Sequence, residues 1–121
     1  MELPKDEDRE HRIAMEIIVD CYGPEEQATG WYCYLDEKLG FPFTGRCIEE
    51  RIISPLRRGE EVEVTGMPPE DECEHEMFVL TRWEGRSLAV PLSQLEGVAV
   101  DEETQQAIDD WHYWVARGYE F

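Results

Sequence analysis

The sequence predicts an α+β fold of two helices, four or so short strands and one further helix. Three observations predict it. Apolar residues recur at helical spacing through the first forty positions. Residues 60 to 92 alternate with the period of a strand and are broken by a tight-turn signal. The closing stretch from residue 101 is amphipathic and opens on a capping residue.

Residues 5 to 22 read as the first helix, with Ile13, Ile17, Ile18 and Cys21 on one face and Ala14 and Tyr22 extending it. Gly23 suits the left-handed position after a helix, and Pro24 suits the first turn of the next. The second helix runs to about Leu39, with Ala28, Trp31, Tyr32, Leu35 and Leu39 as its apolar stripe. Gly40 closes it. "FPFTGRC", residues 41 to 47, is a turn-rich connection, and "CIEERII", residues 47 to 53, is a poorly patterned first strand. "EEVEVTGM" puts Val62 and Val64 on one face and Glu61, Glu63 and Thr65 on the other. "EMFVLTRW" and "RSLAVPL" follow, joined by Glu84 and Gly85 as a hairpin turn. Val90 and Leu92 fit an inward face, and Pro91 assigns that strand to an edge or a bulge. Asp101 is the expected N-cap of the third helix, which buries Ile108, Trp111, Trp114 and Val115 and ends at Gly118. Short antiparallel strands with tight turns predict a small SH3-like barrel or a curled meander. The chain, 1–121, reads as one domain: a helical pair over 1–40, a β region over 46–100 and a helix over 101–121.

Charge narrows the function. The 121 residues hold 29 Asp and Glu against 11 Lys and Arg, a net charge of −18. Phosphate backbones and anionic bilayers demand a basic footprint, so neither nucleic acid nor membrane is an expected partner. Cations and basic proteins are. The opening "MELPKDEDRE" lacks the apolar core of a secretory signal, and no apolar run is long enough to span a membrane. Together with four cysteines that form no CxxC pair, this predicts a cytoplasmic, monomeric protein with reduced thiols.

Most of the acids have a structural explanation. Glu25, Glu26, Asp101, Glu102 and Glu103 fall at helix N-termini, where the dipole favours them. Glu61 and Glu63 point outward from a strand. Asp6, Glu7, Asp8 and Glu10 share their turns with Lys5, Arg9 and Arg12, and Glu49 and Glu50 neighbour Arg46 and Arg51. Two groups remain. "MPPEDECEHEM", residues 67 to 77, carries Glu70, Asp71, Glu72, Glu74 and Glu76 with no Lys or Arg among them, in a loop longer than a hairpin needs. Asp36 and Glu37 occupy the last turn of the second helix, the negative pole of its dipole, beside backbone carbonyls that have no helical partner. Carboxylates and free carbonyls are the ligands of a hard cation such as Ca²⁺. The expected metal ligands are therefore Asp36, Glu37, Glu70, Asp71, Glu72 and Glu74, with Glu76 as a further option.

Other chemistries find less support. No EF-hand loop, P-loop, GxSxG or HExxH is present. Cys73 and His75 lie two apart and Cys47 could join them, but this is not a zinc-ribbon spacing. The same Cys–His pair is a poor nucleophile among so many carboxylates, so no enzyme is expected. The four tryptophans sit at core-like spacing.

Three blocks of the chain resemble a known family: "WYCYLDEKLGFPFTGRCIEERIISPLRRGEEVEVTGM", "CEHEMFVLTRWEGRSLAVPLSQLEGV" and "AIDDWHYWVARGY". "FPF", "SPL", "VPLSQL" and "DWHYW" are its distinctive parts. The chain resembles the small calcium-binding proteins of cyanobacteria known as the CcbP family, from about residue 8 onward. The resemblance implies a cytosolic, non-EF-hand protein that sequesters Ca²⁺ during heterocyst differentiation. The ligand residues named above come from charge placement alone. Two readings follow: a Ca²⁺ buffer of clustered carboxylates, or an acidic SH3-like interaction module that docks a basic partner without any ion.

Overall fold

The computed structural model describes residues 5–121. The first helix, α1 (Glu7–Arg12), is capped by the Asp6 carboxylate, which accepts from the Arg9 N–H at 3.0 Å. It widens at once into a π-helical turn, Ile13–Ile17, with the Ile18 N–H bonded to the Ile13 carbonyl. Only Ile13 and Ile17 of its apolar residues are fully buried; Ala14 and Tyr22 face solvent. The helix thus stops short of residue 22. Asp20, not Gly23, takes the left-handed conformation at φ 58°, which short polar side chains tolerate. Gly23 is extended, at φ −143°, and leads into α2 (Pro24–Lys38) with proline in its first turn.

The α2 stripe is the expected one: Ala28, Trp31 and Leu35 are buried, as is Leu39 just beyond the helix. Gly30 lets α2 lie against the end of the π-helical turn. A Cβ at this position would stand 2.5 Å from the Ile17 carbonyl oxygen. Gly30→Ala should therefore destabilise the protein by about 1–2 kcal/mol, the backbone clash outweighing the gain in helix propensity. A urea titration checks it: unchanged or increased stability would contradict this packing.

Five strands form one antiparallel sheet: β1 (Phe43–Cys47), β2 (Glu61–Gly66), β3 (Phe78–Trp83), β4 (Arg86–Pro91) and β5 (Leu95–Val98). Their spatial order is β4-β3-β2-β1-β5. The meander expectation holds for β1 to β4, whereas the sheet is open and not a closed barrel. Helices cover one face, so the core forms between two layers instead of inside a cylinder. Glu84 and Gly85, both at positive φ, make the β3–β4 turn, and Pro91 lies on the edge strand as its missing N–H requires.

The first strand is not "CIEERII". It is "FTGRC", whose inward residues are Phe43, Gly45 and Cys47. Gly45 hides the alternation. A Cβ there would meet Val64 at 3.1 Å and Leu95 at 3.3 Å, so packing excludes the side chain that would have signalled a strand. Residues 48 to 60 form a loop anchored by buried Leu56, with Ile52 and Ile53 exposed.

The last helix is α3 (Glu102–Ala116), and Asp101 caps it by accepting from the Thr104 N–H at 2.7 Å. That hydrogen bond, the largest influence, holds the Asp101 carboxyl below its ordinary pKa. A depressed folded-state pKa contributes stability above the ordinary carboxylate range and loses it as pH falls through the lowered value. Asp101→Ala should lower the melting temperature at neutral pH, and the gap to wild type should narrow on acidification. A melting series from neutral to acid pH checks it; a gap that stays constant would contradict the cap. Ala107, Ile108, Trp111, Tyr113 and Trp114 supply the buried face, while Val115, expected inside, is 40% exposed. Trp31 packs against Trp111 and Trp114 with ring centroids 5.0 and 5.5 Å apart, which binds α2 to α3.

The same helix pair encloses a charge the sequence gives no hint of. Asp110 is fully buried. Arg9 and Arg12 of the first helix donate to both its oxygens, and the Tyr34 hydroxyl of α2 donates at 2.8 Å. Arg9 keeps its bond to Asp6, but local pairing within the first helix is secondary to this convergence on α3. The Arg12 guanidinium is pushed further up, first by its hydrogen bonds to Asp110.

Candidate metal centre

The 67–77 segment is long because it folds on itself. Pro68 is buried, and its carbonyl accepts the Tyr32 hydroxyl of α2 at 2.5 Å. A 3₁₀ turn, Glu70–Cys73, follows, with the Glu72 N–H bonded to the Pro69 carbonyl. Cys73 and Met77 are buried. Glu76, offered above as a further ligand, is already committed: Arg51 and the Ser93 hydroxyl both donate to it.

These anchors leave Glu70, Asp71, Glu72 and Glu74 exposed. None of the four has a hydrogen bond or ion pair through its carboxylate among the described residues. Several acids elsewhere do find partners. Arg46 bonds Glu61 and Glu96, Arg82 bonds Glu63, and Lys38 bonds Glu103. Arg46 and Arg51 thus serve Glu61, Glu96 and Glu76 instead of the neighbouring Glu49 and Glu50.

The turn faces the first half of α2 across a groove of about 770 Å³. Glu25, Glu26, Ala28 and Thr29 line one side, and Glu70, Asp71, Cys73, Glu74 and His75 the other. No Lys or Arg lines it. Glu26 accepts from the Tyr22 N–H, which leaves Glu25 as the free carboxylate on the helix side. Glu25 and Glu26 have an explanation as helix-dipole residues, so charge reasoning sets them aside. Only the fold reveals that they oppose the 3₁₀ turn.

The two acidic groups named from sequence are only partly joined. Asp36 lies one turn beyond Tyr32 on the same helix face. The Tyr32 hydroxyl is pushed up in pKa by burial first, then by the charge of Asp36 and, more weakly, of Glu70. Through its bond to the Pro68 carbonyl, Tyr32 joins the Asp36 face of α2 to the residues just ahead of the 3₁₀ turn. Glu37 and Glu72 do not line the groove; both are exposed.

Carboxylate oxygens dominate the donors, with Cys73 and His75 beside them and no Lys or Arg among the described lining residues, which fits a hard ion. The carboxylates are not preassembled: among the described residues no three His, Cys, Asp or Glu side chains converge as a metal cluster. Zinc is a poor fit. Cys73 exchanges hydrogen bonds with the Phe78 backbone, and burial, ahead of the charges of Glu72 and Glu70, raises its thiol pKa. A buried, protonated thiol is also no nucleophile.

Fold and groove together define a small, acidic α+β protein with a carboxylate groove of hard-cation character and no EF-hand. The sequence profile of the CcbP calcium-binding family matches residues 11–115. The crystal structure of Anabaena CcbP superposes with a TM-score of 0.87 at 47% identity, covering 98% of both chains. A calcium-binding protein in its calcium-binding form superposes with a TM-score of 0.85 at 46% identity, over 97% of this chain and 96% of that one. No curated protein matches the chain. The chain belongs to the CcbP family of calcium-binding proteins.

Proposed function

We propose that this chain binds Ca²⁺ in the groove and buffers it in the cytosol. Glu70, Asp71 and Glu74 of the 3₁₀ turn would hold the ion together with Glu25 of α2, with Asp36 and Glu72 at the margins. One observation carries the reading: a turn pinned at Pro68, Cys73 and Met77 presents unpaired carboxylates to a helix that carries another, with no Lys or Arg among the described residues lining the groove. Bound Ca²⁺ supplies the missing positive charge and takes six to eight oxygens, so water completes the shell. The rest of the work falls to the chain. Its anchors keep the carboxylates close against their repulsion, and the rigid helix limits how far they must move to meet.

Because the turn is clamped on both sides, closure on the ion is local, which supports buffering over long-range signalling. Four free cysteines, two of them buried, agree with a reducing compartment. Among the described residues no helix is long and apolar enough to cross a membrane. A net charge of −18 disfavours self-association, so we expect a monomer. Calcium sequestration during heterocyst differentiation is the cellular setting the family resemblance implies, and we adopt it as part of the proposal.

Calorimetric titration tests the ion. Ca²⁺ should give saturable heat well above that of Mg²⁺, and the melting temperature should rise with free Ca²⁺ through linkage. Equal heats for the two ions, or a melting temperature indifferent to Ca²⁺, would contradict the proposal.

A further inference from the structure

The groove does not end at His75. His75 and Phe121 line both it and a second cavity of about 260 Å³. Trp111, Trp114, Tyr119 and Phe121 wall this pocket, and Glu76 and Glu120 sit at its rim. Phe121 lies over Trp111 at 5.9 Å with planes 27° apart, and Trp114 packs on Tyr119 at 4.9 Å. The indole N–H groups of Trp111 and Trp114 are buried and have no acceptor among the described residues. No Lys or Arg lines either cavity, although the two together hold carboxylates at Glu25, Glu26, Glu70, Asp71, Glu74, Glu76 and Glu120.

We propose that the aromatic pocket receives one guanidinium or ammonium side chain of a basic segment from another protein, whose flanking cations lie along the groove carboxylates. Aromatic faces attract cations, and the Arg117 guanidinium already sits 5.8 Å over the Tyr119 ring. Charge complementarity selects the occupant. An acidic segment, a nucleic acid or a second copy of this chain meets repulsion along the whole face. The pocket does not depend on the calcium reading, since its aromatic walls need no ion.

The test uses the full chain in a calcium chelator, so that failure of Ca²⁺ binding leaves it unaffected. The probe is a synthetic peptide of alternating arginine and alanine, with a glutamate–alanine peptide as control. In nitrogen-15 spectra the indole signals of Trp111 and Trp114 should shift saturably, while that of Trp83 on β3 stays still. Phe121→Leu, which keeps an apolar wall without its π face, should weaken binding about threefold, and Glu120→Gln should weaken it in the same direction. Shifts confined to the groove, with both indoles unmoved, would overturn the proposal by showing diffuse attraction only. So would unchanged affinity in both variants, or equal binding of the glutamate peptide. If N-acetyl-arginine amide bound as tightly as the peptide, the pocket would be a small-amine site and the partner segment would be wrong.

Discussion

Replacing Asp110 with alanine should destabilise the protein by about 3 kcal/mol, a large share of a small domain's stability. The reasoning starts from burial. Asp110 has no solvent exposure, and three side chains from two other helices donate to it: Arg9, Arg12 and Tyr34. Removing the carboxylate strands the Arg12 guanidinium and the Tyr34 hydroxyl and leaves Arg9 only its looser pairing with Asp6. The loss falls at the lower end of the range for broken buried pairs because Arg9 and Arg12 keep 27% and 24% exposure, so water can partly replace their partner. Asp110→Asn should do less harm, since it keeps acceptor capacity while losing the charge. Chemical denaturation with both variants checks it. An alanine variant as stable as wild type would mean that the three helices are held by their aromatic contacts alone.

Neutralising Glu70, Asp71 and Glu74 together should lower Ca²⁺ affinity about a hundredfold while leaving the chelated protein at least as stable as wild type. The two effects have one cause. These side chains repel one another without an ion and have no partner to lose. Their removal should therefore cost the fold nothing and, at the proposed site, remove three of its four proposed carboxylate ligands. Glu37→Gln, outside the groove, should change affinity by no more than about twofold, by weak screened attraction alone. Calorimetry and melting curves on the same samples separate the outcomes. A triple variant that bound Ca²⁺ like wild type would move the site elsewhere, and one that lost stability in chelator would show a structural role for these acids.

The fold was legible where side chains carry the pattern and illegible where backbone geometry does. The α2 stripe, the Val62–Val64 alternation, the Glu84–Gly85 turn and the Asp101 cap all express themselves through residue type at fixed spacing. β1 does not, because its central inward position is Gly45, kept bare by Val64 and Leu95. β5 is four residues long and reads "LEGV", too short and too mixed to register. Barrel closure depends on which strands pair across the whole chain, and nothing local encodes an open sheet.

The candidate groove, as a place in the fold, was partly legible for a similar reason. Subtracting acids that caps, strands and ion pairs explain isolates the 70–74 carboxylates, which stand without partners on one pinned turn, though they are not alone in lacking them. The same subtraction discards Glu25, whose role as a dipole residue conceals its position across the groove. Asp110 does not stand out in the sequence at all, since a buried charge is recognisable only once its arginines arrive from a distant helix. Asp36 and Glu37 look alike in sequence, yet only Asp36 shares a helix face with Tyr32, and neither lines the groove. A clue was present: Tyr32 and Asp36 share a face at helical spacing.

The most direct measurement is a residue-by-residue Ca²⁺ titration by nuclear magnetic resonance. Saturable shifts should concentrate at residues 24–29 of α2 and 70–75 of the 3₁₀ turn, with Tyr32 and Asp36 following at the margin. Outward strand acids such as Glu61 and Glu63, already paired with Arg46 and Arg82, should stay nearly still. Shifts spread evenly over all the acidic residues, or centred away from the groove, would contradict the account.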